Sequence, residues 1–227
     1  RALASMKHVG LNVAADPFFA ASVTGIRGGL VVVCCDDPGM HSSQNEQDNR
    51  HYARFAKVPI LEPTDSQEAY SLMDWAFRIS EEFDTPVLYR STTRISHCKT
   101  VAEMAESPEI RRRPPKFARD PHKFVMVPSN ARPRHPIMEE RIQKLAAYFE
   151  TFPLNEVILR DRSIGIISAG AAYQYAREVF RNASFLKLIT TYPIPEKLIR
   201  EFASTVERAA VVEELDPFLE ALFQPMG

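Results

Sequence analysis

The sequence predicts an α/β fold in which a parallel, doubly wound sheet is followed by a second, smaller α/β domain. The first observation is an apolar, β-branched run at residues 30–35 that does not alternate with polar residues. Such a run is typical of a strand covered on both faces, as in parallel sheets flanked by helices. The second observation is the order strand, helix, strand, helix, strand before residue 90, which favours parallel crossover connections. Strand and helix patterns alternate again after residue 137.

Local signals define the elements of the first domain, residues 1–106. Residues 36–39 (DDPG) end the central strand, because proline lacks an amide donor and glycine permits a turn. Residues 64–68 (TDSQE) match a helix start with a reciprocal cap. The predicted elements are a strand at 1–6 with an exit loop at 7–10, a helix from 14 to 25, strands at 30–35 and 59–63, helices at 46–56 and 64–83, and a strand at 87–90.

The second half of the chain begins with a change of composition. Residues 107–136 are rich in proline and basic residues and are predicted to be a linker. The three arginines at 111–113 are interpreted as solvated, because nucleic-acid contact needs a wider basic patch. Residues 137–227 are predicted to form the smaller domain. Its predicted elements are a helix at 138–150, a strand at 163–170, a helix at 171–181, a strand at 185–189, a helix from 193 and a strand at 209–214.

The composition excludes several classes of partner. A formal net charge of −1 gives no electrostatic attraction for nucleic acid or for a membrane surface. No apolar run approaches the roughly 20 residues that a membrane span needs. We therefore expect neither nucleic acid nor membrane as a partner. Three cysteines cannot form a disulfide framework, which favours the reducing cytoplasm.

The polar loop at residues 36–48 is the predicted site of recognition or chemistry. In open α/β sheets, ligands bind where the strands end. His41 lies in this loop and His8 lies in the exit loop of the preceding strand, so the two imidazoles are candidates to line one cleft. Histidine exchanges a proton near neutral pH, which suits acid–base catalysis. The alternative is a solvated loop whose polar side chains cap the next helix.

Other chemistries have weaker sequence signals. Arg94, which follows the strand at 87–90, is a candidate to bind a carboxylate, although a boundary loop explains it equally well. The acidic and histidine residues of segment 36–41 match no metal-site spacing, so no metal ligands are predicted. Hydrolysis by Ser42 or Ser43 would need an exposed nucleophile on a sharp turn, and the Gly-x-Ser-x-Gly pattern of such a turn is absent.

Five segments resemble the large (alpha) subunit of indolepyruvate ferredoxin oxidoreductase, a member of the 2-oxo acid:ferredoxin oxidoreductase family. The resemblance runs through nearly all of the chain except its last residues, with the segments in the same order. The segments are residues 6–17 (MKHVGLNVAADP), 36–48 (DDPGMHSSQNEQD), 90–97 (RSTTRISH), 192–197 (YPIPEK) and 212–217 (VEELDP).

The resemblance implies a thiamine-diphosphate enzyme. Such an enzyme oxidatively decarboxylates aryl pyruvates, here indolepyruvate, to aryl-acetyl-coenzyme A and passes the electrons to ferredoxin. The implied cofactors are thiamine diphosphate with Mg²⁺ and [4Fe-4S] clusters. The implied partners are a beta subunit, ferredoxin, the 2-oxo acid and coenzyme A, in an oligomer. The first domain would be part of the pyrimidine-binding domain, and the second would be similar to a transketolase C-terminal domain.

The resemblance also implies roles for the polar residues at the strand ends. They are catalytic proton transfer by His8 and His41 and cofactor binding by Asn12, Gln44 and Asn45, while binding of the substrate by Arg94 is expected from its guanidinium chemistry.

The chain departs from the family pattern in ways that affect catalysis. It contains no Gly-Asp pair with which a magnesium–diphosphate motif begins, and its three cysteines are too few for a four-cysteine cluster. The glutamate that protonates the pyrimidine ring in this family would lie upstream. We therefore expect an internal fragment that binds no cofactor and is inactive alone. The alternative function, from another class, is a non-catalytic α/β scaffold or interaction module of a larger complex.

Overall fold

The structure, a computed structural model, describes residues 1–104 and 119–224 and confirms the predicted α/β fold class. The first part contains β1 (Ala2–Lys7), α1 (His8–Val13), α2 (Ala15–Thr24), β2 (Leu30–Asp36), α3 (Arg50–Ala56), β3 (Ile60–Leu61), α4 (Ser66–Glu82), β4 (Val87–Thr92) and α5 (Thr93–Ser96). The second part contains α6 (Pro121–Phe124), α7 (Pro128–Phe149), β5 (Glu156–Ile158), β6 (Asp161–Ala169), α8 (Gly170–Val179), β7 (Ala183–Leu188), β8 (Thr190–Tyr192), α9 (Glu196–Ser204), β9 (Ala209–Val212) and α10 (Phe218–Phe223).

The first sheet has the strand order β1-β2-β4-β3-β8, and its first four strands are parallel. Successive residues of the central strand β2 point to opposite faces. Val31 packs with Leu72 of α4 and Leu145 of α7, whereas Val32 packs with Phe18 of α2 on the other face. Burial on both faces explains why the run from 30 to 36 lacks polar alternation. The sheet is therefore doubly wound, as predicted.

Helix α4 begins with the predicted reciprocal cap. The Asp65 carboxylate accepts a hydrogen bond from the Glu68 amide at 2.8 Å. The Glu68 carboxylate in turn accepts from the Thr64 amide at 2.8 Å. Two amide groups at the helix start are thus satisfied by side chains.

The second sheet has the order β5-β7-β6-β9, with β6 parallel to β7 and β9. The strands β5 and β8, each three residues long, were not predicted, because so few residues show no periodicity. Strand β8 joins the first sheet by pairing antiparallel with β3. A strand from the second half of the chain therefore forms one edge of the first sheet.

Helix α7 begins at Pro128, inside the predicted linker, so the linker prediction is wrong for residues 128–136. Pro128 suits the first turn of a helix, but Pro133 and Pro136 lie inside it and each removes a helical hydrogen bond. Tertiary contacts compensate. The guanidinium of Arg134 donates to the Thr24 carbonyl at 2.8 Å and contacts Asp84 at 3.0 Å.

Other parts of the domain prediction stand differently. Residues 107–118 of the predicted linker lie outside the described residues. The division of the chain into two domains at residues 1–106 and 137–227 stays a prediction. Within residues 1–104 and 119–224, no helix combines the length and the apolar character needed to cross a membrane.

Two local predictions near the polar loop are also corrected. The residues after Lys7 are the helix α1 rather than an exit loop. Helix α3 begins at Arg50 rather than at residue 46, because the amide of Asn49 donates to Asp36 at 3.2 Å. This bond ties the end of the loop to the end of β2. The loop is thereby held at the carboxyl edge of the sheet.

Candidate functional site

Two adjoining cavities open at the carboxyl ends of β1, β2 and β4, where the sequence predicts the site. Their volumes are about 340 Å³ and about 570 Å³. Ser42, Thr93 and His97 line both, so we treat them as one site, the edge cleft. Lys7 and Asp37 line its smaller part, and the larger part is lined by His41, Arg94, Cys98 and Tyr175.

Asp37 organises the loop that forms one wall of the edge cleft. Its carboxylate accepts hydrogen bonds from the Ser43 hydroxyl at 2.6 Å, the Thr93 hydroxyl at 2.7 Å and the Ser42 amide at 2.8 Å. These bonds hold the pKa of Asp37 well below its usual range. Asp37 is therefore a fixed anion, and it is unsuited to exchange a proton near neutral pH.

Lys7 and His41 flank Asp37 in the edge cleft. The Lys7 ammonium donates to the Ser42 carbonyl at 2.7 Å and lies 3.7 Å from the Asp37 carboxylate. The His41 amide donates to Asp37 at 3.2 Å, which fixes the backbone while the side chain stays exposed. The imidazole folds over Gly39, whose φ of +85° suits only glycine without strain. Lys7 was not predicted, although its place at the end of a strand is the same signal that singled out His8.

Behind the cleft lies a buried ionic row formed by Asp36, Arg90 and Glu62. Arg90 Nε donates to Asp36 Oδ2 at 2.6 Å, and its Nη1 donates to Glu62. The Thr191 hydroxyl donates to the other oxygen of Glu62. Burial raises the pKa of Asp36 and outweighs the opposing effect of Arg90. The sequence analysis did not predict that Arg90 forms buried ion pairs, although an arginine inside an apolar strand indicates a buried charge.

A second buried arginine joins the polar loop to the second half of the chain. Arg50 Nε donates to both oxygens of Asp48, at 2.9 and 3.0 Å. Its Nη1 donates to Glu213 at 2.6 Å, and its Nη2 donates to the carbonyls of Glu214 at 2.7 Å and Asp216 at 3.0 Å. Burial alone would raise the pKa of Asp48, but the hydrogen bonds from Arg50 and the charges of Arg90 and Arg50 together outweigh it, and the pKa is lowered.

The structure brings together some of the predicted cofactor-binding residues. The Asn12 side chain donates to Gln47 at 2.9 Å and accepts from the Tyr52 hydroxyl at 2.7 Å. Gln47 donates to Asn45 at 3.0 Å, so Asn12 and Asn45 are linked through one shared partner. Gln44 lies exposed on the same loop. None of these polar side chains lines either part of the edge cleft.

His8 and Arg94 lie in different surroundings. His8 is completely buried at the start of α1, and neither of its ring nitrogens has a hydrogen-bond partner among the described residues. Arg94 lines the edge cleft, where its Nε contacts Glu214 at 2.6 Å and its guanidinium lies 5.4 Å from the centre of the Tyr175 ring. Arg94 is therefore already neutralised by a carboxylate.

One group of described side chains has the spacing of metal ligands. Asp48, His51 and Asp216 each place a possible ligand atom within 4.8 Å of the others. Both oxygens of Asp48 already accept hydrogen bonds from Arg50. One of the two carboxylates is therefore already paired with a cation, which leaves Asp216 and His51 as too few ligands for a divalent cation.

The chain is similar over its whole length to one named protein from several archaea. The indolepyruvate oxidoreductase subunit IorA of Archaeoglobus fulgidus is 44% identical over 100% of this chain and 37% of its own length. The corresponding subunit of Methanothermobacter marburgensis is 46% identical over 97% of this chain and 36% of its length. That of Pyrococcus horikoshii is 44% identical over the same shares.

The chain therefore resembles one segment of the IorA subunit. It spans about 37% of the length of the curated relatives that it matches. No family profile matches the chain.

Two solved structures share the fold at low identity. A 2-oxoglutarate:ferredoxin oxidoreductase from Magnetococcus marinus superposes with a TM-score of 0.67 and 12% identity, over 98% of this chain and 48% of that one. A split-gene transketolase, described as an inactive beta4 tetramer, superposes with a TM-score of 0.51 and 14% identity, over 98% and 62%. At such identities the likeness bears on the fold alone, and it confirms the predicted fold class.

The described residues fit only part of the cofactor set that the sequence resemblance implies. The edge cleft offers hydroxyl, imidazole and ammonium groups of the kind that bind a polar ring. Mg²⁺ prefers carboxylate and water ligands, but the Asp37 carboxylate is saturated by donors. A [4Fe-4S] cluster needs four cysteines, and the chain has three. The metal–diphosphate and cluster sites therefore do not fit these residues.

The three cysteines are expected to differ sharply in reactivity. Burial, with a smaller effect from nearby Asp36, raises the pKa of the Cys34 thiol far above its usual range, and burial also raises the pKa of Cys35. Cys98 is exposed. With a disulfide reagent at pH 8, we expect one thiol to react within seconds and the other two at least about a hundredfold more slowly.

The control for this measurement is the Cys98→Ser variant. It should lose the fast phase while keeping both slow thiols, and all remaining thiols should react at once in denaturant. A fast phase that survives in Cys98→Ser would contradict the burial of Cys34 and the partial burial of Cys35.

Proposed function

We propose that the chain is part of a thiamine-diphosphate-dependent oxidoreductase. The reaction is the oxidative decarboxylation of aryl pyruvates, in particular indolepyruvate, to aryl-acetyl-coenzyme A with ferredoxin as electron acceptor. The observation that carries the proposal is the 44% identity to IorA over the whole chain. The fold shared with a 2-oxo acid:ferredoxin oxidoreductase supports it.

The edge cleft is the part of this chain that we assign to the reaction. The chemistry that bound thiamine diphosphate supplies is carbanion stabilisation at the keto carbon of the substrate. The residues of this chain would bind the thiamine ring and the 2-oxo acid and exclude water. Other parts of the subunit would hold Mg²⁺ and the clusters, because the residues here do not fit them.

His41 is the residue of the cleft best placed to hold or move a proton. Its ring lines the larger cavity, and its backbone is fixed by the bond to Asp37. Asp37 itself stays ionised and orients the loop. Asn12, Gln44 and Asn45 do not line the cleft, so their proposed contacts with the cofactor would lie beside it. For Arg94 to bind a substrate carboxylate, the acid would have to displace Glu214.

His8 has a different proposed relation to the reaction. Because its ring is enclosed, it would act on the cleft only through intervening groups. The proposed partners of the whole protein are a beta subunit, ferredoxin, the 2-oxo acid and coenzyme A, within a cytoplasmic oligomer. The chain alone is proposed to be inactive.

A second candidate function is a non-catalytic α/β scaffold. Two observations favour it. Among the described cleft residues, the carboxylates already accept hydrogen bonds from the protein. The sequence has no fourth cysteine for a cluster. In that case the edge cleft would bind no 2-oxo acid.

The deciding experiment uses the complete two-subunit enzyme. Purified enzyme with thiamine diphosphate and Mg²⁺ should reduce ferredoxin only when indolepyruvate and coenzyme A are both present. Replacing His41 with alanine should lower kcat by about 10²-fold, because a positioned proton donor contributes that much. His122→Ala is the matched control, since His122 is exposed on α6 away from the cleft.

Two outcomes would separate the claims. Wild-type enzyme that reduces no ferredoxin with any aryl pyruvate would overturn the oxidoreductase function in favour of the scaffold. Full turnover by His41→Ala, with an active wild type, would remove only the role of His41.

A further inference from the structure

Four buried side chains around Asp36 carry polar atoms that have no hydrogen-bond partner. The atoms are both ring nitrogens of His8, Oδ1 of Asn49, Nη2 of Arg90 and Oγ1 of Thr92. Each of these residues is at most 3% exposed. Among residues 1–104 and 119–224, the one further atom of this kind is Nε of Arg141. Unpaired buried atoms are thus concentrated at one place, which we name the Asp36 cluster.

Direct contacts and strand register place these groups around the Asp36 carboxylate. Arg90 Nε donates to it at 2.6 Å, and the Asn49 amide donates at 3.2 Å. Thr92 is the register partner of Asp36 in the neighbouring strand β4. On the other side, Lys7 pairs with Cys35, so His8 follows at the level of Asp36. Asp36 therefore lies beside Thr92, and His8 follows the last register pair of β1 and β2.

The side chains of Asp36, Arg90 and Thr92 also lie on the same face of the sheet. Side chains two apart along a strand share a face. Asp36 follows Cys34 by two residues, and Arg90 and Thr92 follow Leu88 by two and four. Cys34 and Leu88 belong to one core cluster, on the side of α1, α2 and α3. The unpaired atoms of Arg90 and Thr92 therefore lie on the side from which Asn49 reaches Asp36.

The unpaired atoms are complementary to water. Arg90 Nη2 can only donate, Asn49 Oδ1 can only accept, and the Thr92 hydroxyl does either. One water molecule that accepts from Arg90 and donates to Asn49 and Thr92 makes three hydrogen bonds, the usual number for buried water. The imidazole of His8 has one donor and one acceptor when neutral, and both need a partner. Leaving so many polar groups unpaired in one place is costly and rare in native proteins.

We propose that the Asp36 cluster is a binding site for ordered water, which completes the hydrogen bonds of Arg90, Asn49, Thr92 and His8. Asp36 also lines the edge cleft, so the water lies directly behind the cleft wall. It orients the guanidinium of Arg90 and the imidazole of His8. The site is independent of the reaction proposed above, because it needs only the residues of this chain.

The first test is the Thr92→Val substitution, which removes the hydroxyl and keeps the side-chain shape. If Thr92 Oγ1 binds water, the substitution leaves the water one acceptor short, and the unfolding equilibrium constant rises about fivefold to thirtyfold. If Oγ1 is unpaired, the substitution removes a buried polar group without breaking a hydrogen bond, and the unfolding equilibrium constant falls. The sign of the change decides. Urea unfolding of a protein that comprises residues 1–227, followed by the fluorescence of the single tryptophan in this sequence, Trp75, measures it.

The matched control is Thr191→Val. Thr191 is equally buried, and its hydroxyl donates directly to Glu62, so its loss must raise the unfolding constant. The second test is a crystal structure at better than about 1.5 Å of the unsubstituted protein, which does not depend on any variant folding. We expect ordered density within 2.7–3.2 Å of Arg90 Nη2, Asn49 Oδ1 and Thr92 Oγ1. Absence of that density, or a lower unfolding constant for Thr92→Val, would overturn the proposal.

Discussion

Replacing Arg90 with methionine is expected to lower the free energy of unfolding by about 3–5 kcal/mol. Arg90 is 3% exposed and contacts the carboxylates of Asp36 and Glu62, which are equally enclosed. Methionine fills a similar space but leaves two buried carboxylates without a cation. An uncompensated buried charge is far more costly than the loss of a pair at the surface. Urea unfolding at pH 7 measures the change.

The control for Arg90 is Arg78→Met. Arg78 pairs with Asp74 on the exposed side of α4, where both side chains are more than half exposed. Its replacement should cost less than about 0.5 kcal/mol. Adding Glu62→Gln to Arg90→Met should recover part of the loss, because one unpaired charge is removed. An Arg90→Met variant as stable as Arg78→Met would show that the ionic row does not stabilise the fold.

The second large effect is expected for Arg50→Met, which should lower the free energy of unfolding by about 3 kcal/mol or more. Arg50 is 2% exposed, and its guanidinium donates to two carboxylates and two backbone carbonyls. The same guanidinium lies 5.0 Å from the centre of the Phe218 ring, within reach of a cation–π contact. Its loss leaves the Glu213 carboxylate without its ion pair and leaves Asp48 with Arg90 alone, whose Nε is 3.9 Å away.

The Arg50 variant should also act locally, which distinguishes it from Arg90→Met. The bonds from Arg50 hold residues 213–216, immediately before α10, against the start of α3. Hydrogen exchange of the peptide covering residues 213–224 should therefore become at least about tenfold faster. Arg54→Met, at an exposed position of the same helix, is the matched control and should leave exchange unchanged. Uniform destabilisation with no local increase would contradict this role.

The described contacts explain why some site residues were predicted and others were not. The loop at 36–48 was identified because an apolar strand ends in polar residues, and the carboxyl edge of a parallel sheet collects such ends. His41 lies in the cleft for that reason. His8 has the same position in the sequence, yet it is enclosed, because α1 begins at this residue instead of a loop.

Local sequence patterns determined the doubly wound sheet, its central strand, the capped helix α4 and the placement of the polar loop. Each depends on residues within a few positions of one another, so periodicity and capping rules apply. The family resemblance likewise needed only contiguous segments. The course of α7 past two prolines did not follow from these rules, because contacts from Arg134 to Thr24 and Asp84 stabilise it.

Only the tertiary structure decided which charges pair in the interior. Arg90 contacts Asp36 across 54 residues of chain, and Arg50 contacts Glu213 across 163. Strand β8 completes the first sheet from the second half of the chain. An ionic partner has no periodic signature, because any carboxylate that the fold brings within about 3 Å will serve. The identity of the pairs, and the burial of the polar groups around Asp36, therefore depend on the packing of the chain.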